Sequence, residues 1–483
     1  METPQDEYMI WDFDKYKQNI AMKDESGVVL TYVGLKSSGE RIASSISTRC
    51  LVFSLCENSI GSVIGYAAFV NNGIVPVLLN RHLNREFLGE LITKYKPQYL
   101  WVPVSQEVDF EQYRVTKILE MYDYALLKTS FNQGYPLHED LCLLLTTSGS
   151  TGSPKLVRQS YTNVFSNARS IVEYLKLDET ERPITTLPMN YTYGLSIINS
   201  HLLVGATLLL TDKGLMQKEF WNFFKEQGAT SFGGVPYTYE MLERLRFFRM
   251  ELPSLRYFTQ AGGKLTPELH KKFAEYAQEK RIRFIVMYGQ CEATARMGYL
   301  PAEKALEKCG SMGIAIPGGQ FHLIDVHGQA VAEPHVTGEL VYEGANVTLG
   351  YAECGEDLIK GDERGGILQT GDMAQFDEDG YYYIVGRKKR FLKIYGNRVN
   401  LDEIDRLIKA QFNNIDCASA GVDDHMYLFV TDEYIAENVK SFVVTKTGLN
   451  PSAFKMVVIN EIPKSDAGKI IYMDLEKYYQ HNL

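Results

Sequence analysis

Short apolar runs alternate with amphipathic stretches along most of this chain, and that alternation restricts it to an α/β architecture of buried strands flanked by helices. CLVFSL (50–55), LCLLLTT (141–147), ATLLLT (206–211), RFIVMYG (283–289) and GELVYEG (338–344) read as buried strands. Between them, NREFLGELITKYK (84–96), QKEFWNFFKEQ (217–227) and TPELHKKFAEYAQEK (266–280) carry apolar residues at helical spacing. Glycine stands at several strand ends: Gly149, Gly233-Gly234, Gly262-Gly263 and Gly289. In α/β folds the loops at the carboxyl ends of strands hold ligands, so these are the positions to search.

Charge narrows the function. The 483 residues carry a formal net charge of −10. A nucleic-acid binder needs a basic face to neutralise phosphates, so no nucleic-acid partner is expected. No segment reaches the ~18 apolar residues that a membrane span requires. The start, METPQDEYMIWDFDKYKQNI, has neither a basic nor an apolar stretch of signal-peptide type, so a cytoplasmic location is expected. Seven cysteines form no CxxC pair and nine histidines no HxxxH or HExxH spacing. A disulfide framework and a structural zinc site are therefore not expected; reduced thiols in the core are.

The first chemical signal is TTSGSTGSPK, residues 146–155, directly after the strand LCLLL. Backbone N–H groups, hydroxyls and a closing lysine suit polyphosphate oxygens. The spacing G-x-x-G-x-x-K is not the P-loop pattern, and the segment does not read G-x-S-x-G as a hydrolase nucleophile elbow would. By composition alone, a solvated Ser/Gly loop reads equally well.

Further motifs follow in order: MYGQCEAT (287–294), LQTGDMAQFDEDGYYYIVGRKKRFLKIYGNRVNLDEID (368–405) and IPKSDAGKII (462–471). Together with LLLTTSGSTGSPK they resemble the signatures of the adenylate-forming superfamily: acyl- and aryl-CoA synthetases, peptide-synthetase adenylation domains and luciferases. The resemblance spans roughly residues 140–475. It implies a large N-terminal α/β domain, residues 1–388, with flanked sheets and a β-rich portion. A small, mobile α+β C-terminal domain, residues 389–483, would follow, with the hinge near Lys389.

The implied reaction joins a small carboxylate to ATP with Mg²⁺, releases pyrophosphate, and passes the acyl group to a thiol of CoA or of a phosphopantetheinyl carrier protein. A weak nucleophile must attack an anionic phosphorus, so the protein has to neutralise charge and hold the reactants in line. The resemblance assigns Thr147, Ser148, Gly149, Ser150, Thr151 and Gly152 to the β,γ-phosphates, with Lys155 adding charge. It assigns Glu292 to Mg²⁺, Tyr288 and Gly289 to adenine, and the Gly262-Gly263 turn to the border of the adenine and acyl pockets. Asp372 would accept the ribose hydroxyls, Arg387 would reach ribose or phosphate, and Lys469 would bridge the carboxylate and the α-phosphate. Gly396 would line the thiol tunnel.

The acid is read from LPMNYTYGLS (187–196) and SFGGVPYTYEML (231–242). Asn190, Tyr191, Phe232 and Gly233 are the expected pocket walls. With no acidic residue in the first segment, a substrate ammonium would be buried without a countercharge, which disfavours α-amino acids. An aryl or modest-length aliphatic acid is expected. Arg390 and Lys393 are candidates for a patch facing the CoA phosphates. Three positions depart from the family pattern: Cys291 replaces a threonine, Leu156 a glycine, and Tyr161 a frequent histidine. Alternatives are transfer to an amine, a catalytically silent nucleotide-binding regulator, and a light-emitting oxygenase.

Overall fold

Helix boundaries in this chain are set by short polar caps. Asn84 accepts hydrogen bonds from the backbone N–H groups of Glu86 and Phe87 and starts helix Arg85–Tyr95. Thr266 does the same for Pro267–Lys280, where proline occupies the first turn and no backbone donor is lost. A computed structural model describes residues 8–131, 133–146, 155–394, 397–413, 415–464 and 470–479. It divides into two compact units, the first comprising residues up to 147, 154–320 and 342–368, and the second 321–341 and 369–483.

An eight-stranded sheet forms the larger half of the first unit. Its centre is parallel, with Leu51–Cys56 between Val75–Asn80 and Tyr99–Pro103. Strand Leu141–Thr146 joins Val75–Asn80 in parallel. Strand Leu156–Ser160 then runs antiparallel to Leu141–Thr146, and Gly350–Ala352 closes that edge. The central strands are buried on both faces, which is why they read as continuous apolar runs. Leu51, Phe53 and Leu55 enter one core, while Val52 and Cys56 enter the other.

A second sheet sets strands Ser231–Gly234, Tyr257–Gln260 and Arg283–Tyr288 in parallel. Register aligns Phe232, Phe258 and Phe284 in one row across it. Their rings stack at 5.6 Å and 5.0 Å, and Phe247 packs against the first two. Phe232, expected as a pocket wall, therefore belongs to this aromatic core. Side chains alternate along a strand, so its neighbour Gly233 faces the other way.

In the second unit, strands Cys417–Val422, His425–Val430 and Phe454–Val458 form a small sheet. Ile404 and Ile408 of helix Leu401–Gln411 share its core with Val439 and Val443 of helix Glu433–Thr447. Parallel strands with flanking helices in the first unit and this small α+β unit make the chain α/β, as its sequence pattern predicts. Among the described residues, no helix is long and apolar enough to cross a membrane.

Candidate active site

The three parallel strands of the second sheet each run into glycine at the carboxyl end. A Cβ on Gly233 would lie 2.9 Å from the Tyr193 hydroxyl. At Gly262, whose φ is +86°, it would lie 2.8 Å from the Tyr191 hydroxyl. At Gly289 it would lie 1.6 Å from the carbonyl oxygen of Ala295, so no other residue fits there. The absent side chains let the two tyrosines and the following loop close on the strand ends. Tyr193 is hydrogen-bonded to Thr259 at 2.7 Å, and its ring meets that of Tyr191 edge-on. Burial holds the Tyr193 phenol up at about 12 and raises Tyr191 further, so both are neutral at physiological pH. Asn190 is half-buried in the turn before helix Thr192–Leu203. Tyr288, also half-buried, accepts a hydrogen bond from Gln290 at 3.3 Å.

Beside these strand ends, Glu292 sits on the short turn Cys291–Ala293. Its backbone carbonyl accepts from both the N–H and the hydroxyl of Thr348. Its carboxylate Oε1 accepts from the Tyr351 hydroxyl at 2.6 Å. Among the described residues Oε2 has no partner. Burial first, then the Glu292 charge, pushes the Tyr351 phenol up to about 12, so it remains a donor. The ammonium of Lys155 and the guanidinium of Arg364 lie over the Tyr351 ring, at 5.6 Å and 4.9 Å from its centroid. Lys155 also pairs with Glu353 at 2.9 Å. The link is the sheet edge: Tyr351 pairs with Val157 of the strand that leaves the 147–154 segment. Arg158 of that strand is fully buried and donates to the carbonyls of Leu349, Tyr351, Lys360 and Gly361, and to Glu363.

In the second unit, Asp372 and Arg387 stand directly opposite each other on antiparallel strands, with Nε 3.5 Å from Oδ1. The aspartate is buried and the arginine exposed. Arg390, expected on a phosphate-facing patch, is instead buried. It pairs with Asp402 and Asp405 at 2.8 Å each and lies 3.9 Å from the centroid of the Tyr472 ring. A guanidinium desolvated between two carboxylates is a structural anchor and is closed to a cofactor. Thr147, Ser148, Gly149, Ser150, Thr151, Gly152, Gly396 and Lys469 lie outside the described residues, as do the side chains of Lys389 and Lys393.

Two residues of this region carry no sequence signal of their own: Tyr351 and Arg158. Their partners are distant in the chain, and no local pattern marks them. The pair Gly350-Tyr351, after an apolar run, is the one available cue.

The AMP-binding enzyme family model matches residues 11–352. A 2-succinylbenzoate–CoA ligase of Bacillus cereus is 26% identical over 457 residues, covering 93% of this chain and 90% of that protein. An oxalate–CoA ligase of Arabidopsis thaliana is 28% identical over 354 residues, covering 69% and 66%. The solved O-succinylbenzoate coenzyme A synthetase of Bacillus subtilis, in complex with AMP, superposes with a TM-score of 0.78 at 21% identity, covering 96% of this chain and 97% of that one. The chain belongs to the AMP-binding enzyme family. It is an adenylate-forming enzyme, an AMP-forming acid–thiol ligase.

Proposed function

We propose that this protein activates a small aryl or modest-length aliphatic carboxylic acid with ATP and transfers the acyl group to the thiol of CoA or of a phosphopantetheinyl carrier. The observation that carries this reading is the meeting of Lys155 and Glu292 at Tyr351, beside the strand that leaves the 147–154 segment. An ammonium and a carboxylate stand there together, and this reading gives the first to phosphate and the second to a metal. Among the described residues no three His, Cys, Asp or Glu side chains form a metal cage. Mg²⁺ commonly takes one or two carboxylates and completes its shell with phosphate oxygens and water, so the Glu292 oxygen that has no partner among the described residues fits it. When bound, the ion neutralises charge on the phosphates.

The chain's own residues do the rest. Lys155 and the hydroxyls and amides of 147–152 hold the β,γ-phosphates. Tyr288 packs on adenine, with Gly262-Gly263 and Gly289 leaving room for it. Asp372 accepts from the ribose hydroxyls, and Arg387 opposite supplies its countercharge. Lys469 stabilises the charge that builds as the carboxylate oxygen attacks the α-phosphorus and pyrophosphate leaves. In the second half-reaction a boundary at Lys389, dividing 1–388 from 389–483, acts as hinge, and Gly396 admits the thiol arm. The thiolate then attacks the acyl carbon and AMP departs. Asn190 and Tyr191 flank the acid, and no carboxylate in that segment meets an ammonium. Seven free cysteines support a cytoplasmic setting.

The test is acid-dependent exchange of labelled pyrophosphate into ATP, with pools of aryl, short, medium and amino acids. Exchange in an aryl or aliphatic pool supports the reading. Exchange confined to amino acids, or none in any pool, overturns it.

A further inference from the structure

Arg296 is a buried cation to which the reaction above gives no task. It is only 2% exposed, four positions after Glu292. A guanidinium has five N–H donors. Nε donates to the Ser196 hydroxyl at 3.0 Å, and Nη1 donates to the Tyr174 hydroxyl at 2.9 Å and to the Met287 sulfur at 3.4 Å. Among the described residues nothing accepts from Nη2, and no Asp or Glu pairs with the charge. The flat face lies 5.3 Å from the centre of the Tyr193 ring. Tyr193 is the residue whose hydroxyl abuts Gly233, and the Arg296 backbone abuts Gly289, so the charge sits at the same strand ends as the acid pocket. Buried charges in folded proteins are paired or bind something charged, because desolvating an unpaired one is costly. Arg390 in this same chain shows the paired solution, with two carboxylates.

We infer that Arg296 receives a second anionic group on the substrate, so that the acid activated here is a dicarboxylate: one carboxylate is adenylated and the other pairs with Nη2. The inference rests on the acid-activating reading above and names its substrate class. Nη2 offers two charged N–H donors, which suit an anionic carboxylate better than a neutral oxygen.

The experiment compares matched acids, benzoate with the phthalates and butanoate or hexanoate with succinate or adipate. Pyrophosphate exchange and ATP-free thermal-shift binding are both read, on the wild-type chain and on R296Q and R296K. We expect the wild type to favour a diacid over its monoacid by about 100-fold in kcat/KM. R296Q should collapse that ratio, and R296K should keep part of it. A wild-type chain that prefers monoacids overturns the inference while leaving the ligase reading intact, and needs no variant to be read. So does an R296Q that lowers monoacids and diacids equally. If no acid supports exchange, the ligase reading fails. Diacid binding that R296Q abolishes would then still support the role of Arg296, and its absence would remove it.

Discussion

The Tyr351 hydroxyl donates to Oε1 of Glu292 at 2.6 Å, joining two residues 59 positions apart. This bond fixes one oxygen of the carboxylate, and among the described residues the other has no partner. Tyr351→Phe removes a hydrogen bond to a charged group, a loss of roughly 1.5–3 kcal/mol. The Mg²⁺ concentration needed for half-maximal exchange should rise about tenfold or more, with a melting temperature lower by a few degrees at most, because the ring remains. A Mg²⁺ titration of the variant decides it, and an unchanged requirement would show that Glu292 is oriented by its backbone alone.

Lys469→Ala should slow adenylation at least ~100-fold, the usual cost of losing a preorganised charge at the reacting oxygens. The residue ends the polar, glycine-containing run PKSDAGK, which has few apolar side chains to pack, so thermal stability should hardly move. Single-turnover formation of acyl-AMP is the measurement. Near-wild-type rates would remove Lys469 from the mechanism.

Gly396→Leu should separate the half-reactions. Pyrophosphate exchange is expected to persist while thioester formation is lost, since a branched side chain obstructs a thiol arm and not ATP. Equal loss of both would count against a dedicated thiol tunnel at this position.

Acid should destabilise the first unit through His201. Its Nδ1 donates to the carbonyl of Ile197 at 2.7 Å, so Nε2 accepts from the Tyr257 hydroxyl at 3.0 Å. Burial holds the imidazole down at about 4, below the 6.5 of an exposed histidine. A depressed folded value means the contribution is complete above pH 6.5 and is lost as pH falls toward 4. By pH 5 that amounts to about 2 kcal/mol. His201→Asn should be less stable at pH 7.5 yet lose less between pH 7.5 and 5 in urea unfolding. Parallel curves would assign the acid sensitivity elsewhere.

The strands and helices are legible because their periodicity is local. RFIVMYG and TPELHKKFAEYAQEK each form the element their pattern predicts, to within a residue or so. The direction in which a strand side chain points is not legible, because that depends on what packs on each face. Phe232 reads as a wall beside Gly233, but register with Phe258 and Phe284 turns it into the aromatic core. Arg390 fails as a surface charge for a related reason. Its partners Asp402 and Asp405 come from the next helix, and a basic run such as GRKKR does not reveal which member turns inward. The pairing of Asp372 with Arg387 joins two motifs that are legible singly. Their contact follows from a hairpin register that neither motif encodes.

The anchoring of Arg158 has a consequence for the order of events on the ribosome. Its acceptors at Leu349, Tyr351, Lys360 and Gly361 lie 191 to 203 residues later in the chain. At ordinary translation speeds the strand after the 147–154 segment waits about 10–40 s for them. Until residue 361 has emerged, its guanidinium must stay hydrated, so strand Leu156–Ser160 cannot be sealed into the sheet edge in its final form. This edge of the first sheet is therefore completed late in synthesis, and a nascent chain released before that point would have its central strands but not this edge.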